Sequence, residues 1–167
     1  MTSRHFDSAE ALIAPLYLIA ALLIATPLMD FATSVMPLRL GSIEWRFASV
    51  GLLSGFLLTQ LLGLVIAIMV ASFADHMRFL RLLSLLNGAI AVLFLVVLIL
   101  FVLDIVQLRS VVQDQARAAF QSAATKAVVK HVCFIVAIGW LAIRGFRASH
   151  WGLPVSRRQV SSVIVGS

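Results

Sequence analysis

Charge is scarce in this chain, acids are scarcer, and cysteine is almost missing. Of its 167 residues only 12% are charged, against about 25% in soluble globular domains. A single cysteine, Cys133, excludes any intrachain disulfide and any chemistry that works through a cysteine pair. It sits in the apolar run Val132-Cys133-Phe134-Ile135, where a thiol behaves as a small hydrophobe. No Gly-rich phosphate loop, no G-x-S-x-G, no H-E-x-x-H and no carboxylate pair within an apolar stretch occurs. These absences argue against an enzyme, and nothing in the sequence calls for a cofactor or a metal. There is also no basic–aromatic interleaving of the kind that binds nucleic acid, although the net charge is +6.

What the chain has instead is apolar length. Hydrophobic residues make up 62% of it, and the mean hydropathy is +1.07. About 20 apolar residues carry a helix across about 30 Å of hydrocarbon, and four blocks approach or exceed that. They run from about Ala11 to Met29, Phe47 to Ala74, Leu82 to Leu103 and Ala127 to Ile143. The fold expected is therefore all-α, an integral membrane four-helix bundle within residues 1–147. A basic tail occupies 148–167, bearing Pro154, Arg157 and Arg158, and it is expected to be poorly ordered. The first block competes with a cleaved signal peptide, which would leave three spans. Asp7 and Glu10 before it, its length, and the lack of a clear small-x-small cleavage site favour a retained helix.

Helix boundaries are partly legible. Pro27 and Asp30 predict the end of the first helix, and Ser42 predicts the N-cap of the second. No Gly or Pro occurs from Ala89 to Ile138, yet one helix from Leu82 to Arg147 would be about 100 Å long. A reversal is placed near Leu108–Asp114, capped by Ser110 with Gln113 or by Asp114. The third and fourth helices are then expected to extend beyond the bilayer. Arg4, Arg78, Arg81, Arg144, Arg147, Arg157 and Arg158 fall on one side, with Arg39, Arg46, Arg109, Arg117, Lys126 and Lys130 on the other. The short second loop and the acid-free tail weigh most under the positive-inside rule, and they place both termini in the cytoplasm.

Two constellations are candidates for function. Gly51, Gly55, Thr59, Gly63, Ala67 and Ala71 recur at every fourth residue of the second span. Such rows let helix backbones approach closely in lipid. Each step of four drifts about 40° around the helix, so the two ends of the row can serve different neighbours. The second constellation is polar. Asp30, Glu44, Arg46, Asp104, Lys130 and His131 all fall at the outer membrane surface, while Gln60 lies near the bilayer centre and Asn87 about a turn into the third span. Basic residues nearly balance the acids, so salt bridging is the simplest reading of the rim. A binding site for an ion or small molecule is the sharper one.

The stretch Pro37-Leu-Arg-Leu-Gly-Ser-Ile-Glu44-Trp45-Arg46-Phe47, running into Gly51-Leu-Leu-Ser-Gly55 and Leu61-Leu-Gly63, with Gln107-Leu-Arg109 and a basic exit from the last helix, resembles uncharacterised four-span bacterial inner-membrane proteins. The resemblance covers about a third of the chain. It implies a fold and a bacterial inner membrane, and no activity. Taken together, the expectation is a non-catalytic membrane protein acting by helix–helix interaction. It would be an accessory or assembly subunit of a membrane complex, or a homo-oligomer. The alternative is a small-molecule or ion binding or transport protein using the outer polar cluster and Gln60.

Overall fold

The computed structural model describes residues 4–151. They form four helices: α1 (Arg4–Ser34), α2 (Ile43–Phe73), α3 (Met77–Arg109) and α4 (Asp114–Trp151). Each contains a segment long and apolar enough to cross a membrane, and the chain is a multi-pass membrane protein of the all-α class. The helices have 31, 31, 33 and 38 residues. At 1.5 Å per residue, all four exceed about 30 Å of hydrocarbon, not α3 and α4 alone.

The arrangement is a bundle of three with a fourth helix leaning on it. α1 packs along α2, α2 also meets α3 and α4, and α3 and α4 share the most extensive contact. Within its most apolar window α2 is 44% buried, against 11% for α1 and for α3. The outward residues are large and apolar, including Leu58, Leu82, Val92, Leu93, Val106 and Val136. A water-facing surface of this kind would be an aggregation liability, whereas in lipid it is the favourable one.

Helix ends obey local chemistry, with three departures from expectation. Ser42 is the N-cap of α2: its backbone is extended, and its Oγ accepts from the Trp45 N–H at 3.2 Å. α1, however, continues through Pro27 and Asp30 to Ser34. A proline removes one N–H from the ladder, a loss tolerated in membrane helices packed against a neighbour, and Pro27 is buried. The reversal between α3 and α4 falls within the segment expected, at Ser110–Gln113, but without the expected capping box. The Ser110 hydroxyl turns back and donates to the Gln107 carbonyl at 2.7 Å, closing α3 instead of opening α4. The third departure lies in the tail. α4 carries residues 148–151 as helix, while Pro154, Arg157 and Arg158 lie outside the described residues.

The α2–α3 turn needs a left-handed residue and has no glycine. Asp75 supplies it, with φ 54°, as aspartate tolerates this region better than most residues. The His76 N–H then bonds the Ala71 carbonyl at 3.0 Å, closing the end of α2. The lone tyrosine, Tyr17 of α1, is tied to this turn. Its hydroxyl lies 3.2 Å from His76 Nδ1, and its ring meets Phe79 edge-on.

Candidate functional site

The small-residue row of α2 divides in two. Gly63, Ala67 and Ala71 are buried. A Cβ on Gly63 would stand 2.8 Å from Ile24 Cγ1 and 2.9 Å from the Ala20 carbonyl oxygen, so glycine is what allows α1 to lie this close. Ala67 and Ala71 continue the contact in a cluster with Ala20, Ile68, Leu80 and Leu83. The other end of the row is different. Gly51 is half-buried, Gly55 is exposed, and nothing lies within 4 Å of a Cβ placed on either. The row turns about 200° from residue 51 to residue 71 at about 40° per step. Its first half therefore shares an open face with Leu58 and Leu62, which are 78% and 52% exposed. Beside that face a groove of about 310 Å³ runs between α2 and α4, lined by Gly55, Leu58, Leu61, Lys130 and Cys133 among others.

The outer polar rim is not one cluster. Arg46 and Asp104 do come together: Arg46 Nε donates to Asp104 Oδ2 at 3.0 Å and Nη2 to Oδ1 at 2.6 Å, a two-point clasp of α2 on α3. Arg46 Nη1 also donates to the Leu40 carbonyl at 2.8 Å, fastening the first loop to the same point. Bidentate pairing of this kind fixes geometry as well as charge. Asp30 and Glu44 stay exposed and apart. Glu44 accepts from the Ser42 hydroxyl at 2.7 Å, and Asp30 has no ion-pair partner among the described residues. Lys130 is exposed on the α2–α4 groove.

His131 lies elsewhere than expected. α4 begins at Asp114, so His131 falls mid-helix, and its side chain is fully buried instead of opening the span at the rim. Its ring sits 5.9 Å from that of Phe94 and 6.2 Å from that of Phe101. Nδ1 lies 2.8 Å from the Ala127 carbonyl, so this nitrogen carries the proton and donates it. Nε2 has no partner within the protein. The rings around it did not stand out in the sequence. Phe120, Phe47, Phe101, His131, Phe94 and Phe134 succeed one another as an aromatic file that joins α4, α2 and α3. Their spacing by seven (Phe94/Phe101, Phe120 to Ala127 to Phe134) was the available signal.

Gln60 and Asn87 are buried as expected of interior amides, at 6% and 0% exposure. Interior amides of membrane helices commonly bond across to a neighbouring helix, but here such bonds are not all made. Gln60 Nε2 and both polar atoms of Asn87 lack partners within the protein. Helical spacing puts Gln60 beside Leu57 and Leu64, Asn87 beside Ile90 and Phe94, and His131 beside Phe134 and Ile138. Those apolar residues form one core cluster. Three helices thus each direct one polar group into the same apolar seam.

No family model, curated protein or solved structure matches the chain. Among the described residues, no three His, Cys, Asp or Glu side chains gather closely enough to hold a metal ion.

Proposed function

We propose that this is a non-catalytic multi-pass protein of a bacterial inner membrane, with both termini cytoplasmic, that acts by helix–helix association. It serves as an accessory or assembly subunit of a membrane complex, or as a homo-oligomer. The observation that carries this reading is the contrast within one row of small residues. Gly63 is used inside the molecule, against α1, while Gly51 and Gly55 have nothing within 4 Å of a Cβ. Lipid gives helices no hydrophobic reason to associate, and close backbone approach along small residues supplies the attraction instead. A glycine face turned outward offers that approach to a partner helix.

The test is purification of the tagged protein from its native host in mild detergent, with identification of what accompanies it. A defined partner or a homo-oligomer is expected, dispersed by Gly55→Leu. Repeated recovery as a lone monomer would contradict association.

A second reading, binding of a small polar molecule or ion, draws on the unpartnered atoms of Gln60, Asn87 and His131. The outer rim supports it less, because of its members only Arg46 and Asp104 meet. Ligand-dependent stabilisation lost in Asn87→Leu and His131→Phe would favour this reading over association.

A further inference from the structure

A second groove lies between α3 and α4, at the end of the bundle that holds the α2–α3 turn. Its volume is about 590 Å³, and its floor is made of small residues, Gly88, Ala89 and Ala142, between the larger walls of Leu85, Val92 and Ile143. From Ser84 to Val92 it runs about 12 Å along α3 at 1.5 Å per residue. That is most of the depth of one leaflet, about half of 30 Å.

The groove is apolar along its length and basic at one end. Arg147 lines it directly. Arg81 stands one turn beyond Ser84, on the face of α3 that Leu85, Gly88 and Val92 share by their spacing. Its Nη2 reaches across to the Ser149 carbonyl at 3.3 Å, so the guanidinium sits between α3 and the last turn of α4. Neither arginine has an acidic partner among the described residues, and α3 carries no acid in its first turn. Arg144, by contrast, is engaged over the Trp140 ring at 5.2 Å.

We propose that this groove binds an anionic phospholipid of the adjoining leaflet, one acyl chain lying along Leu85, Gly88, Ala89 and Val92 and the phosphate held between Arg81 and Arg147. Basic pockets between membrane helices capture anionic headgroups, and guanidinium matches phosphate through paired N–H donors. A second copy of the chain fits this site poorly, because it would bring its own arginines against these two. A zwitterionic lipid fills the groove equally well but gains less from the two positive charges.

The experiment is native mass spectrometry of the delipidated full chain in mild detergent, with phosphatidylglycerol and phosphatidylcholine added at equal concentration. The wild type is expected to retain phosphatidylglycerol about tenfold better, equivalent to about 1.4 kcal/mol and within what two cations near the membrane surface supply. The pair Arg81→Gln/Arg147→Gln should lose most of that preference. Ala89→Trp, at an exposed position on the groove floor, should reduce retention of both lipids with the arginines intact. Arg39→Gln, in the first loop, should change nothing, and monodisperse elution of each variant checks its fold. Equal retention of the two lipids by the wild type would overturn the proposal. So would unchanged phosphatidylglycerol retention in either the arginine pair or Ala89→Trp.

Discussion

Adding one methyl group at two positions of the same row should change stability in opposite directions. At Gly63 the new Cβ would meet Ile24 Cγ1 at 2.8 Å, the Ala20 carbonyl oxygen at 2.9 Å and Leu23 Cβ at 3.1 Å. Carbon atoms rest at about 3.5–4.0 Å, so the shortfall at Ile24 is about 0.7 Å or more. Rotation of one side chain does not relieve it, because Ala20 contributes backbone and Leu23 its Cβ. The whole of α1 has to retreat from α2. Overpacking of this kind costs about 1–3 kcal/mol. At Gly55 the same methyl group meets nothing within 4 Å, and only the helix preference for Ala over Gly remains, up to about 1 kcal/mol in favour. That preference is common to both sites and cancels in the comparison, so Gly63→Ala should be less stable than Gly55→Ala by about 1–3 kcal/mol. Reversible unfolding of the isolated protein in mixed detergent micelles measures the difference. If the two variants were equally stable, or if Gly55→Ala were the weaker, the assignment of the row to an inner and an outer face would be wrong.

Two other changes test the interior. Asp104→Ala leaves Arg46 with only the Leu40 carbonyl, and should lower stability by about 1–3 kcal/mol, the range for stranding one member of a part-buried polar pair. Arg46→Met/Asp104→Leu should recover most of that loss in the same unfolding assay, since apolar replacement of such a pair is often neutral; failure to recover would mean that the clasp also supplies shape. Asn87→Leu removes two buried polar atoms that have no partner in the protein, and should unfold at the same or higher denaturant than the wild type; a loss above about 1 kcal/mol would show that the amide finds partners in the folded state. His131→Phe removes one such atom together with the Nδ1 bond to the Ala127 carbonyl, keeps a ring between Phe94 and Phe101, and should therefore cost no more than that one bond, about 1 kcal/mol.

The existence of four helices could be read from sequence because apolar length is a strong and local signal. Helix ends are set by neighbours, and those could not be read in the same way. Pro27 ends a helix in water but is buried here within α1, and Ser110 has equal chemical claims to cap α4 or to close α3. His131 shows that a correctly placed helix start does not fix depth. Put in the first turn of the apolar span, it belongs to the rim. In the structure the same residue lies well inside α4, between phenylalanines in the interior. The row on α2 is of another kind, since its drift around the helix is fixed by 3.6 residues per turn and turns its two ends to different faces. Which face α1 would take was not in the pattern, because that depends on Ala20, Leu23 and Ile24 in another helix. Gly145 of α4 is set by a neighbour in the same way: a Cβ there would collide with the Ser84 hydroxyl of α3, which is bonded to the Leu80 carbonyl at 2.7 Å.

If the protein acts by association, the open half of the α2 row faces another protein in the membrane. Photocross-linking in native membranes probes this contact, from a photoreactive phenylalanine replacing Leu58, whose side chain is 78% exposed beside Gly55. The same residue replacing Val96, 49% exposed on α3, serves as the reference. A discrete protein adduct is expected from position 58, absent from position 96 and abolished by Gly55→Leu. Lipid adducts alone at position 58, or the same protein adduct from both positions, would contradict association through this face.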